Sequence, residues 1–306
     1  MSMFRNFRSF LPVTSSITAL ALFGAGACGD NDEHVDDDHD HPDAAVATAD
    51  AAPAAIALAF AGEIDGAPFA CGATYPGLGA AASDFVAADF RLYLSDIRLL
   101  DAGGTETPLT LDVDDFQTAD GIALLDFEDG AAGCDDGTSA THTTITGTAP
   151  AGTYTGVRFT IGIPSDLNHL DAATATPPLN LIPMWWAWQF GYKFIKIDGA
   201  VAGNGFFLHV GSTGCPGDDF EQPPTGPCAD PNRIDVEFTG LDLTSDTIVI
   251  DPAPVYADVD LSTNTAETAP GCMSFPGDPE CDTIFPKLGL PFGANPAGTQ
   301  LLVTTR

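Results

Sequence analysis

Phe90-Arg91-Leu92-Tyr93-Leu94-Ser95-Asp96-Ile97-Arg98-Leu99-Leu100 is the run on which the fold reading turns. It is short, rich in aromatic and aliphatic residues and without a helical period, which is the pattern of a strand. Comparable signals lie on both sides of it. Ile56, Leu58 and Phe60 alternate with Ala57, Ala59 and Ala61, and Val157, Phe159, Ile161 and Ile163 are spaced by two. Further short strand candidates occupy 109–113, 122–127, 194–197, 205–210, 234–238, 247–250 and 255–261. The 32 glycines and 24 prolines punctuate nearly every gap, as turn residues do. There is no internal repeat, and only 283–288 suggests a short helix. Many short strands point to an all-β domain, an antiparallel sandwich or barrel. The expectation is a Greek-key-like β-sandwich with long disulfide-stapled loops.

Alternation also assigns faces. In Phe206-Phe207-Leu208-His209-Val210, Phe207 and His209 share one face while Phe206, Leu208 and Val210 share the other. His209 therefore points outward or lies on an inner face that tolerates an imidazole.

The N-terminus reads as an export signal over 1–28, with Arg5 and Arg8, an apolar run from Ile17 to Phe23, and Gly24-Ala25-Gly26-Ala27 before Cys28. Ala-Gly-Ala-Cys resembles a bacterial lipobox, so Cys28 is the expected lipidation site, with Ala25 standing where Leu is usual. The alternative is ordinary cleavage near Ala27. Nothing later in the chain has the roughly 20 apolar residues of a membrane-spanning helix. Residues 29–53 form an acidic, His- and Ala-rich tether that cannot bury a core. Its His34, His39 and His41 offer weak accessory metal capture. The folded domain is expected over 54–306. A periplasmic or cell-surface lipoprotein follows, with the outer membrane as expected anchor, although Gly29-Asp30 is not a decisive sorting signal.

Acidic residues outnumber basic ones 43 to 10. Nucleic acid is excluded as a partner, because phosphate neutralisation needs clustered Lys and Arg. The same charge draws cations. Of seven cysteines, removing Cys28 leaves an even set, and export with an even count implies disulfides. Six cysteines allow 15 connectivities. Loop length suggests Cys215 with Cys228, Cys272 with Cys281, and by elimination Cys71 with Cys134. A cysteine metal cluster is disfavoured by the lack of any Cys-x-x-Cys.

All three tryptophans lie in Met184-Trp185-Trp186-Ala187-Trp188-Gln189-Phe190-Gly191-Tyr192-Lys193-Phe194, and His169 and His209 flank that block. A lone histidine is more often a satisfied residue beside a core, and clustered tryptophans can cap a core or stack on sugar rings. Scarcity and context point instead to a shared metal role for His169 and His209. His169 sits in a loop between Asn168 and Asp171, and His209 precedes Gly211-Ser212-Thr213-Gly214. His142, in Thr141-His142-Thr143-Thr144, is a weaker third candidate in a Thr-rich strand. Met184 and Met273 offer thioethers that suit Cu(I), against the commoner role of filling gaps in a core.

Four blocks carry a family resemblance: Pro164-Ser165-Asp166-Leu167-Asn168-His169-Leu170-Asp171, the Met184 to Phe194 block, Leu208-His209-Val210-Gly211-Ser212-Thr213-Gly214-Cys215, and Cys272-Met273-Ser274 through Cys281 to Leu288-Gly289-Leu290. Over about 56–290 the chain resembles the MbnP-like proteins, also called the metallo-mystery pair system four-Cys motif family. Trp185 and the acidic His tail depart from the family pattern. The resemblance implies a non-enzymatic copper-binding protein, Cu(I) or Cu(II), for copper uptake, storage or handling. It also implies a di-haem, peroxidase-like partner, MbnH, that oxidises a tryptophan to kynurenine. Carried onto this chain, His169 and His209 become ligands and Trp186 or Trp188 the oxidised residue. Two other classes stay open: a carbohydrate-binding or adhesion module using its tryptophans, and a copper oxidase, for which no second ligand cluster is visible.

Overall fold

The quoted run belongs to an 18-residue strand, Ser83–Leu100, which the computed structural model places at the centre of the larger of two main sheets. The structure describes residues 52–306. The signal segment 1–28, Cys28 and the tether histidines His34, His39 and His41 lie outside the described residues.

The nine-stranded sheet runs Ile234–Thr239, Gly156–Ile161, Ser83–Leu100, Ile195–Val201, Asn204–Val210, Gly271–Cys272; Thr74–Leu78, Glu106–Pro108 and Ala123–Asp126 also pair with the long strand. The six-stranded sheet runs Val303–Thr305, Thr247–Ile250, Ala54–Ile64, Thr144–Ala149, Thr110–Leu111, with Ala67–Pro68 paired to Ala54–Ile64. Alternation puts Phe90, Leu92, Leu94, Ile195, Ile197, Phe206, Leu208 and Val210 in one core with Leu58, Phe60, Ile145 and Ile248 of the other sheet. Phe60 and Phe159 meet edge to face across it, centroids 5.8 Å apart. Fully burying one such side chain stabilises by about 1.5–3 kcal/mol. The all-β sandwich is thus present. Its sheets are mixed rather than purely antiparallel, because Ala54–Ile64 pairs in parallel with Thr247–Ile250 and Asn204–Val210 with Gly271–Cys272. Those partners are far apart in sequence, so the crossover that parallel pairing needs is available.

The opposite face of the nine-stranded sheet is covered too. Tyr93, Leu124, Ile163, Met184, Tyr192 and Phe194 form a second core there, under the loop that carries the tryptophans. Tyr93 and Tyr192 bury their rings and donate their hydroxyls to Pro178 O at 2.8 Å and Leu179 O at 2.5 Å. A sheet covered on both faces explains why the long strand is buried at nearly every position beyond Ala87.

Two local expectations fail. Residues 255–261 are not a strand: Ala253–Tyr256 is a helical turn, favoured by Pro252 and Pro254 and by Asp251 Oδ1 accepting Ala253 N–H at 2.9 Å. His142 lies just outside Thr144–Ala149, at an isolated bridge to Asp126. The expected short helix is observed over Cys281–Lys287. The cysteines pair Cys71–Cys134, Cys215–Cys228 and Cys272–Cys281, the pairing that loop length suggests. Among the described residues no helix is long and apolar enough to cross a membrane.

Asp126 is buried and its Oδ2 has no hydrogen-bond partner. Burial first, then the Glu128 charge, pushes its carboxyl up to about 8. The unfolded chain loses this proton near its ordinary value of 3.8, so the contribution of Asp126 to stability is complete below that pH. It is lost as pH rises toward about 8, at no more than about 1.4 kcal/mol per pH unit. Asp126→Asn removes the titration. Urea midpoints of the wild type should fall more steeply than the variant's between about pH 5 and 8, and parallel curves would contradict the assignment.

Candidate metal centre

The tryptophan block folds as a small hairpin. Trp185–Ala187 pairs with Gly191–Tyr192 and residues 188–190 form the turn, so Trp186, Trp188 and Phe190 do not share one extended face. Gly191 has φ 73°, and a side chain there would collide with the Asn168 carbonyl oxygen. Asn168 is itself fully buried; its Oδ1 accepts Tyr192 N–H at 3.0 Å and its Nδ2 donates to Phe190 O at 3.3 Å. From the other side Gln189 Nε2 donates to Cys215 O at 3.0 Å and Gly217 O at 2.6 Å. The turn is therefore held between the segment after Pro164 and the Cys215–Cys228 loop.

Each predicted histidine attaches to this hairpin. His169 follows the turn of helix Ser165–Asn168, and its Nδ1 lies 3.1 Å from Trp188 O. A carbonyl only accepts, so Nδ1 carries the proton and Nε2 the lone pair. Nε2 faces Asn168 Nδ2 at 3.4 Å and Cys228 Sγ at 3.6 Å. His209, on Asn204–Val210, is 5 % exposed. Its Nε2 donates to Asp198 Oδ1 at 2.6 Å, while its Nδ1 is buried with no partner. The His209 ring stacks on Phe207, and the Trp186 ring lies 6.3 Å from it, centroid to centroid. Trp186 in turn packs on bare Gly211: a Cβ there would lie 2.5 Å from Trp186 Cζ3.

Burial pushes both imidazoles below their ordinary value, opposed by the Trp188 carbonyl at His169 and by Asp198 at His209. Both are thus neutral at neutral pH, the form that binds metal. In each ring one nitrogen is held by an oxygen acceptor and the other is left with its lone pair, which is how ligating histidines are oriented. A buried nitrogen without a partner is costly in an ordinary core. Each histidine is a neutral imidazole with one nitrogen lone pair left over, a ligand of the type that copper takes.

Behind His209 the sheet register builds two charged rows. Arg91, Lys196 and His209 stand side by side on three neighbouring strands, and two residues along on the same face Asp89 stands beside Asp198. Asp89 pairs with both Arg91 and Lys196, and Lys196 Nζ lies 3.2 Å from Asp198 Oδ2. Burial alone would raise the Asp198 carboxyl, but the hydrogen bond from His209 and the charge of Lys196 hold it below the usual range. None of these four residues was singled out from sequence. The signal was available as charged residues spaced by two, Asp89/Arg91 and Lys196/Asp198, inside apolar strand patterns.

The remaining candidates are placed elsewhere or differently. His142 stacks on Phe116 at 4.8 Å with its Nδ1 against Leu124 O at 2.6 Å. Met184 is fully buried in the second core. His169 comes within 4.8 Å of the sulfurs of Cys215 and Cys228, but those sulfurs are spent in a disulfide and are not thiolate ligands. Trp185 and Trp188 pack edge to face at 5.9 Å, and all three indoles are half-buried rather than laid open as a sugar platform. A cleft of about 560 Å³ is lined by Ser95, Arg158, Arg233 and Asp235 among others and by no tryptophan.

A family model described as MbnP matches residues 53–274. Among solved structures, MbnP from Methylosinus trichosporium is similar to this chain, with a TM-score of 0.74 and 32% identity over 83% of this chain and 99% of that one. Comparison with curated proteins gives no match.

Proposed function

The chain belongs to the MbnP family, and from that premise we propose that it is an exported copper-binding protein whose metal is held by His169, His209 and an oxidised Trp186. The observation that carries the reading is the buried, unpartnered Nδ1 of His209 beside the Trp186 ring. Trp186 is favoured over Trp188 because Trp188 turns its ring onto Trp185 and gives only its carbonyl to His169. An indole N–H is a poor donor to metal. Cleavage of the pyrrole ring with two peroxide equivalents adds two oxygens and releases two waters. Hydrolysis of the resulting N-formyl group releases the carbon as formate, so kynurenine carries an aromatic amine and a net exchange of one ring carbon for one oxygen. The oxidising equivalents come from a peroxidase-like di-haem partner of the MbnH type. On this reading the chain is the partner's substrate and then a copper carrier, store or scavenger, and performs no catalysis itself. Lipidation at Cys28 tethers it to the envelope, and His34, His39 and His41 collect metal weakly ahead of the folded site.

The test uses protein taken from its native host. Trypsin releases residues 159–193, which contain His169 and all three tryptophans, and fragmentation should place the carbon-for-oxygen exchange on Trp186. With the tail deleted, the His169→Ala, His209→Ala double variant should lose tight copper binding. An unmodified peptide from cells with an active di-haem partner removes the kynurenine ligand. Undiminished copper in the double variant removes both histidines.

A further inference from the structure

We infer that Asp198 is a positioning residue of the copper site: it accepts from His209 on one oxygen and from Lys196 on the other, and thereby fixes which imidazole nitrogen is left for the metal. This rests on the reading of His209 as a ligand. Asp198 Oδ1 lies 2.6 Å from His209 Nε2, and its Oδ2 lies 3.2 Å from Lys196 Nζ. Lys196 can only donate, whereas His209 Nε2 donates or accepts according to its tautomer. A carboxylate accepts at both oxygens and so selects Nε2–H, whereas an amide whose oxygen is taken by Lys196 must present its NH2 group to His209. Asp between Lys196 and His209 therefore holds the Nε2–H form, and Asn would select Nδ1–H.

The carboxylate is not free to move away. Lys196 is held by Asp89, Asp89 is held by Arg91, and Arg91 Nη1 lies 3.6 Å from Glu128 Oε1. Arg91 and Glu128 are fully buried, and Asp89 and Lys196 are each 2 % exposed. Strand register fixes the rows, since Lys196 stands opposite both Arg91 and His209. The ring of His209 is thus set by a buried chain of alternating charge that reaches across three strands, with Asp198 as its last member. His169 has no such support; a backbone carbonyl holds it.

The experiment follows the His209 proton directly. In metal-free wild type, nitrogen-15 imidazole spectra should show His209 as the Nε2–H form. Asp198→Asn should shift it toward Nδ1–H, and copper competition should show affinity about 10- to 100-fold weaker, the usual cost of removing a residue that orients a ligand. Adding Lys196→Met to Asp198→Asn removes the opposing donor, lets the amide turn its oxygen to His209 and should recover the Nε2–H form and much of the affinity. A merely structural Asp198 would give no such rescue, because the double variant loses more buried pairing than the single one. The inference is overturned by a wild-type His209 protonated on Nδ1, or by a single variant with altered tautomer and unchanged copper affinity. If Asp198→Asn does not fold, the wild-type tautomer and the double variant still decide. Should fully matured wild type bind no copper, the copper reading falls, while the tautomer result still reports what Asp198 does to the ring.

Discussion

Gly211→Ala should strip the site of Trp186 while leaving the fold in place. The added methyl would lie 2.5 Å from Trp186 Cζ3 and 2.7 Å from the Tyr192 carbonyl oxygen. Both groups must give way: the hairpin backbone at Tyr192 shifts locally by a few tenths of an ångström, and the indole swings away from His209. Overpacking of this kind costs about 1–3 kcal/mol, which a sandwich with two cores and three disulfides survives. Copper affinity of matured protein should drop by at least about 10-fold, since a ligand has lost its orientation. Circular dichroism and copper competition on one sample check both halves. A variant that keeps full affinity would show that Trp186 takes no part in the site.

Asp89→Ala should be the most destabilising single change in the charged rows. Asp89 is the acceptor shared by Arg91 and Lys196, and its removal leaves a fully buried guanidinium facing Glu128 at 3.6 Å and the Asp136 carbonyl at 3.4 Å. Breaking a buried pair by deleting one partner costs roughly 3–5 kcal/mol. Urea unfolding should show that loss, with Arg98→Met as control. The Arg98 ion pair with Asp96, both about a third exposed, is of the surface kind worth about 0–1 kcal/mol. Equal midpoints for the two variants would mean that the rows are solvated rather than buried.

Sequence was most informative where one period governs. Alternation separated His209 and Phe207 from Phe206, Leu208 and Val210, and the structure shows that the latter three face the main core; short loops suggested which cysteines meet. It was silent where a tertiary partner decides. Residues 83–89 extend the long strand although Asp84 and Asp89 interrupt its apolar pattern, because neighbouring strands pair with them. Residues 188–190 turn because Asn168 and Gln189 hold them, which no local rule announces. The charged rows need register: Asp89, Arg91, Lys196 and Asp198 become neighbours only when the two strands align as they do. His142 looked like a third donor in sequence, and Phe116, remote in the chain, takes its ring.

The Cys215–Cys228 bridge lies beside His169 and closes the loop that supplies both carbonyls gripping Gln189. Closure of that loop is an oxidative event, so the corner of the site that carries His169 is completed only once the chain has met an oxidant. In a newly made, thiol-form chain the two sulfurs beside His169 are still free to ligate, and closing the bridge spends them. The bridge acts as a clock as much as a staple: once it closes, that corner offers its imidazole and no longer its sulfurs.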